Sequence, residues 1–266
     1  MLSPGKIFIS ARPAGRSGML KELLSEQGAS LIEMPMIDIK KAKISTRDEE
    51  LLTHIDQYGW IVFTSTNGVV HFFDHLNDVI GSYKLGENTK IAVIGRETGS
   101  ALHSFGYTPE YESIESTGEG FSMELKELFK MKNHKVLFPA GNLARNTIES
   151  NLSGIAEVFR INVYNTEMPE YINYKALNLI EEDNYEMIIF TSNSGLYNFC
   201  MIIKDKININ ININSLRIAC IGSTTEKAAL RYGINPLVIA KTMSSQGIAD
   251  AIIEYYRQDN LLSPDT

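Results

Sequence analysis

The chain repeats itself. "IVFTSTNGVVHFF" at 61–73 and "IIFTSNSGLYNFC" at 188–200 share an apolar run, a hydroxyl-rich turn and the apolar pattern that follows. Phe63 and Phe190 stand 127 residues apart, and Gly95/Gly222, Gly106/Gly233, Pro109/Pro236 and Gly120/Gly247 keep that spacing. Chance supplies one such pair easily, but not five in one ungapped register. Earlier segments correspond more loosely: "KIFIS" then "MLKELLSEQGASLIEMPMI" resembles "KVLFP" then "TIESNLSGIAEVFRINVY". Two related halves are implied, and the repeat alone divides them in tandem, 1–133 and 134–266.

Each half alternates short apolar runs with amphipathic stretches. "KIFIS", "WIVFT" and "KIAVI", with their counterparts "KVLFP", "MIIFT" and "RIACI", are apolar almost throughout and rich in β-branched residues. Strands buried on both faces read this way. Between them lie "SGMLKELLSEQG", "NGVVHFFDHL", "ETGSALHSFG", "TTEKAALRYG" and "SQGIADAIIEYY", several ending at a glycine placed to cap a helix: Gly28, Gly106, Gly233. Strand, turn and helix in repetition predict a parallel sheet with helices on both faces. The expected fold class is α/β, with two similar doubly wound parallel-sheet domains.

The turns carry the chemistry. "FTSTNG", "FTSNSG", "GRET" and "GSTT" fall where strands end and helices begin, and "ARPAGRSG" and "PAGNLARN" do the same. Ser, Thr and Asn there are expected to cap helices, with Thr98 and Thr225 in equivalent positions. Most such residues only cap. Matched turns in both halves, outside the carboxyl ends of parallel strands, also offer amides and helix dipoles to one shared polyanionic ligand. The net charge of −7 argues against nucleic-acid or anionic-membrane binding, but not against an anion held by amides. No run reaches the ~18 apolar residues of a membrane span. The start, "MLSPGKIFIS", lacks a secretory pattern, and only Cys200 and Cys220 occur, so a cytoplasmic location is expected.

Other features carry less. His71 and His75 have an i,i+4 spacing but no intervening Glu and no third ligand, so a partly exposed helix is expected instead of a metal site. No Walker loop and no GxGxxG follows a strand. The Ile/Asn run "KININININ" at 206–214 reads as a surface insertion or ragged strand. Tyr164, in "INVYNTEMPEY" near the junction of the halves, is either amphipathic packing or a proton donor that stays neutral at pH 7.

Taken together, "FTSTNGV" at 63–69, "IAVIGRETGSAL" from 91, "VLFPAGNLARNTI" at 136–148, "VYNT" at 163–166, "IIFTSNSGL" at 188–196 and "IACIGSTTEKAAL" from 218 resemble the uroporphyrinogen-III synthase family. The likeness covers nearly the whole chain. Two departures are "SARP", where the family usually has Thr before Arg-Pro, and the charges of "GRET". The resemblance implies a flavodoxin-like architecture in which each domain is assembled across the halves. Residues 1–37 and 171–266 would form one domain and 50–160 the other, joined by a two-stranded connector of 38–49 and 161–170.

It also implies a lyase of porphyrin (heme) biosynthesis, acting as a monomer without metal or organic cofactor. The substrate would be hydroxymethylbilane, a linear tetrapyrrole, cyclised to uroporphyrinogen III with inversion of ring D and loss of water. By the same resemblance Tyr164 matches a tyrosine that protonates the leaving hydroxyl. Arg12, Ser65, Thr98, Ser192, Ser194 and Thr225 match substrate-binding positions. Two other classes fit a two-domain α/β chain: a transferase using a nucleotide donor, and a non-catalytic small-anion binding protein. The first calls for a Gly-rich nucleotide turn and the second for a signal peptide, and the chain reads as having neither.

Overall fold

A computed structural model describes residues 4–115, 117–129, 134–205 and 211–262. The first half of the chain runs β1 (Ile7–Ser10), α1 (Gly18–Ser25), β2 (Ser30–Glu33), β3 (Asp38–Lys41), α2 (Thr46–Thr53), β4 (Trp60–Phe63), α3 (Thr66–Ile80), β5 (Lys90–Ile94), α4 (Gly95–His103), β6 (Tyr111–Ser113) and α5 (Gly118–Phe129). The second runs β7 (His134–Gly141), α6 (Thr147–Leu152), β8 (Ala156–Glu167), α7 (Tyr174–Glu181), β9 (Met187–Phe190), α8 (Asn193–Asp205), β10 (Ile218–Cys220), α9 (Ser223–Arg231), β11 (Val238–Ile239) and α10 (Ser245–Leu262).

Contacts divide the chain into two compact units, 1–38 with 167–266, and 39–166. The first unit holds a sheet of order β11-β10-β9-β1-β2 whose paired strands are all parallel. Counted in chain order within the unit, that is 2-1-3-4-5 read from β2, the doubly wound order of flavodoxin-like folds. The second unit holds β3-β8-β7-β4-β5-β6, with β4, β5, β6, β7 and β8 in parallel pairings. Taking β7 and β8 as first and second and β4, β5 and β6 as third to fifth gives 2-1-3-4-5 again. The second unit is a circular permutation of the first. The repeat matches β1 to β7, β4 to β9 and β6 to β11, each pair starting 127 residues apart.

Both central strands, "WIVF" and "MIIF", are buried along their whole length. In the first unit Ile9, Ile188, Phe190, Leu196 and Phe199 form a core under α7, α8 and α9. Phe8, Leu20, Leu24, Ile189, Ile248 and Ile252 form another under α1 and α10. In the second unit Ile61, Phe63, Phe72, Phe73, Leu137 and Val163 pack under α2, α3 and α4, and Trp60, Val62, Phe121, Phe138 and Ile148 under α5 and α6. The expected C-caps hold: Gly28, Gly106 and Gly233 follow α1, α4 and α9 with φ of 82°, 83° and 76°, a region that disfavours a Cβ.

Residues 38–49 and 161–170, expected as a connector, contain β3, the start of α2 and the end of β8, and β3 neighbours β8 at the edge of the six-stranded sheet. Of the Ile/Asn run, 206–210 lie outside the described residues. Its end forms a short 3-10 turn, Ile213–Ser215, capped by the Asn212 side chain.

Candidate functional site

In the second unit, β4 is followed by "TS" at 64–65 and the chain turns into α3. Ser65 is extended (φ −161°, ψ 151°), and its Oγ accepts the Gly68 amide at 3.0 Å, the N-cap bond that its residue type and place predict. The same Oγ is 3.2 Å from the Tyr164 hydroxyl. A helix start and a phenol thus share one hydroxyl at the carboxyl end of the sheet.

Tyr164 reaches that place through an irregularity of β8. Up to Asn162 the strand pairs regularly with β7, Ala140 opposite Asn162, but Gly141 stands opposite Tyr164, so Val163 is an extra residue. Ile161 and Val163 pack under α3, while Val158 packs on the α5–α6 side. Regular alternation would send Tyr164 to the α5–α6 side with Val158. The bulge instead leaves it packed on the α3 side beside Val163. There its ring lies against Gly141, where a Cβ would come within 2.5 Å of Tyr164 Cζ. Only glycine leaves that space open. The His71 ring lies 5.8 Å from the Tyr164 ring.

The helix is partly exposed, as the sequence suggested, but His75, one turn further along α3, lies on its buried face. Its Nε2 is 3.1 Å from the Val163 carbonyl, which requires that nitrogen to carry the proton. Burial holds its pKa below the ordinary value, although the Val163 carbonyl pulls the other way. Among the described residues no group of three or more His, Cys, Asp or Glu side chains is placed to hold a metal ion.

Thr98 is the fourth residue of α4 and is buried, so it does not cap that helix. The chain turns at Gly95, with φ of 72°, and enters the helix at once. The same correction applies in the first unit. Thr225 is the third residue of α9 and buried, with its own amide donating to the Gly222 carbonyl at 3.1 Å.

In the first unit Ser192 mirrors Ser65. Its Oγ accepts the Gly195 amide at 3.1 Å at the start of α8, and the Ser194 hydroxyl lies 3.3 Å away. Arg12 follows β1. Its Nη1 donates to Ser245 Oγ at 2.7 Å and to the Arg16 carbonyl at 3.2 Å, tying the β1–α1 turn to the start of α10. Cys200 and Cys220 are buried free thiols whose pKa values burial raises to about 11 and about 12, so neither is a nucleophile.

The structure therefore joins Tyr164 with Ser65, and Ser192 with Ser194, and buries Thr98 and Thr225 inside helix starts. Sequence reasoning missed Gly141 and the bulge. A signal for the bulge exists: in "AEVFRINVYNTE" the alternation Phe159, Ile161, Val163 breaks at Tyr164, one residue on.

A family model described as Uroporphyrinogen-III synthase HemD matches residues 19–250. A porphyrin biosynthesis protein HemD of Ruminiclostridium josui is 30% identical over 251 residues, 94% of this chain and 48% of that protein, so the chain spans about half the length of that relative. A uroporphyrinogen-III synthase of Synechococcus elongatus is 25% identical over 259 residues, 96% of this chain and 97% of its own. Among solved structures, a mutant uroporphyrinogen III synthase from the extremely thermophilic bacterium Thermus thermophilus superposes with a TM-score of 0.64. At 14% identity, over 96% of this chain and all of that one, the likeness bears on the fold alone.

Proposed function

The chain belongs to the uroporphyrinogen-III synthase family, and on that premise we propose that it cyclises hydroxymethylbilane to uroporphyrinogen III, inverting ring D and releasing water. The observation that carries this reading is the Tyr164 phenol, set 3.2 Å from the Ser65 N-cap hydroxyl at the carboxyl end of β4. In open α/β sheets that end is where ligands bind.

The reaction asks little covalent chemistry of the protein. The ring A hydroxymethyl group loses its hydroxyl, assisted by the pyrrole nitrogen, and an electrophilic azafulvene remains. Tyr164 gives the departing oxygen its proton, so that water leaves. The substituted carbon of ring D then attacks, a spiro intermediate forms, and ring D reopens and recloses inverted, with loss of a proton restoring aromaticity. The enzyme's main contribution is to hold the bent chain so that this carbon, not its unsubstituted neighbour, meets the electrophile. The substrate's carboxylates are taken by turn amides at the helix starts capped by Ser65 and Ser192, with Ser194 and Arg12 beside the second of these. Thr98 and Thr225 lie in the first turns of neighbouring helices and contribute through the same amide-rich surfaces.

Incubation with enzymatically generated hydroxymethylbilane, followed by oxidation and separation of the type I and type III isomers, tests the reading. Type III product is expected; type I alone, at the spontaneous rate, would end it. Tyr164→Phe removes one hydroxyl and keeps the ring. General acids contribute about 10²–10⁴-fold, and pyrrole assistance places this one at the low end or below it. We expect kcat to fall roughly tenfold to a hundredfold with KM within about twofold, and the product to remain type III. Wild-type kinetics in this variant would remove the phenol from the mechanism.

A further inference from the structure

Arg160 lies on β8 opposite Phe138, four residues before Tyr164, with its guanidinium 6.0 Å from the Phe138 ring. Its Nη2 donates to the Gly141 carbonyl at 2.9 Å and to the Ala144 carbonyl at 3.0 Å. Its Nη1 donates to Asn146 Oδ1 and to Glu149 Oε1, each at 3.2 Å. One planar fork thus holds two main-chain carbonyls and two side chains from the last residue of β7 into α6. The Gly141 carbonyl also accepts the Ala144 amide at 3.0 Å, so two donors fix it. A lysine could not replace this arrangement, because its ammonium is a compact point charge on a flexible stem.

The held residue is the one that touches the phenol. A Cβ on Gly141 would stand 2.5 Å from Tyr164 Cζ and 2.8 Å from its hydroxyl oxygen. The next residue completes the seat: the Asn142 amide donates to the Tyr164 carbonyl at 3.1 Å, and the Asn142 side chain exchanges hydrogen bonds with the main chain of Thr166. Any shift of the main chain at 141 is passed to the ring, and from the ring to the hydroxyl beside Ser65.

We propose that Arg160 is a positioning residue: by clamping the Gly141 carbonyl it fixes the main-chain wall against which the Tyr164 ring rests, and so fixes where the phenol points. This rests on the reading of Tyr164 as the proton donor. Arg160 itself touches no reacting atom. If it only braced the 141–149 segment, its loss would lower stability and leave turnover alone.

The test combines kinetics with a direct view of the ring. Arg160→Lys, Arg160→Gln and Gly141→Ala are made in the wild-type and Tyr164→Phe backgrounds. In the wild type each is expected to lower kcat roughly tenfold, short of the ~10²-fold that a 1 Å misplacement costs, with KM within about twofold. In the Tyr164→Phe background each is expected to lower it by less than about twofold further, because the group being positioned is already gone. The same losses in both backgrounds would overturn the proposal. Independently of activity, protein labelled with ¹³C at tyrosine Cζ gives a Tyr164 resonance assigned by its absence in Tyr164→Phe. That resonance should move in all three variants while those of Tyr58 and Tyr107 stay. An unmoved resonance in folded protein also overturns the proposal. Should the wild type make no type III product, the functional reading fails by itself and the resonance alone decides whether Arg160 places the ring. Having both Arg160→Lys and Arg160→Gln keeps the test open if one of them does not fold.

Discussion

One hydroxyl at Ser65 serves two partners, the Gly68 amide and the Tyr164 phenol. Ser192 makes the matching cap to Gly195, with Ser194 as its neighbour. The pair is therefore a built-in control. Ser65→Ala and Ser192→Ala each remove one N-cap and should each cost about 1 kcal/mol in urea unfolding. Only Ser65→Ala also removes the polar partner of the phenol, so it alone should lower kcat by several-fold under saturating substrate. Equal kinetic losses in the two variants would show that the phenol gains nothing from Ser65. Both caps were legible, because a serine between a buried strand and an amphipathic run has few other roles. Thr98 and Thr225 were misread for a physical reason. Gly95 and Gly222 make the turns into α4 and α9, so these helices start before the threonines and bury them. Gly141 was not legible as part of the site. Its role comes from the absence of a side chain opposite a bulge, and neither partner of that contact lies near the other in sequence.

At the scale of single elements, the four-residue buried strands and the helices between them read directly from apolar runs and 3.6-residue patterns. The bulge in β8 and the buried place of His75 on α3 did not. The i,i+4 pair His71 and His75 looks the same on a buried and an exposed helix face until Val163 is known to stand over it. That burial makes a pH prediction. Desolvation depresses the His75 pKa, Lys41 and His71 add to the effect, and the Val163 carbonyl and Asp78 oppose it. The unfolded chain takes up this proton near pH ~6.5, whereas the folded protein resists until lower pH. Its contribution to stability is therefore complete above about pH 7 and falls as the pH drops through 6.5 toward the folded value. Urea unfolding at about pH 7.5 and about pH 5.5 should show a larger loss for wild type than for His75→Gln, which keeps a donor for the carbonyl and cannot charge. Equal losses would mean that His75 does not contribute to the acid sensitivity in this window; carboxylates such as Glu186 lose their contribution only at lower pH, as it falls through the ordinary carboxylate range. At Glu186 burial raises the pKa, but hydrogen bonds from Lys6 and Tyr256 outweigh it and the net shift is downward.

The whole molecule shows why a repeat is not a domain map. An offset of 127 residues is the same whether two halves fold side by side or exchange their strands, and the residues alone favour the first. The pairing of β1 with β9 excludes it: each unit takes its first two strands from one half and its last three from the other. The consequence for folding is asymmetric. The 39–166 unit is one continuous segment, containing β4 to β8 and both of its cores. The other unit is cut in two along the chain, and its shorter piece supplies β1, which lies between β9 and β2 in the sheet. That piece also brings Phe8, Ile9, Leu20, Leu24, Leu31, Met34 and Met36 into the two cores. At roughly 1.5–3 kcal/mol for each buried side chain, losing them removes about 10–20 kcal/mol, as much as the roughly 5–15 kcal/mol by which a whole domain is stable. A fragment of 39–166 should therefore fold alone, with dispersed amide resonances and a cooperative urea transition. A fragment of 167–266 should be unfolded alone, because β9 has lost its neighbour and both faces of its sheet have lost part of their cover. Added peptide 1–38 should restore its structure, with β1 pairing parallel to β9 as it does in the intact chain. Circular dichroism and amide exchange on the three samples decide the matter. A folded 167–266, or a disordered 39–166, would show that cooperative folding does not follow the strand pairing.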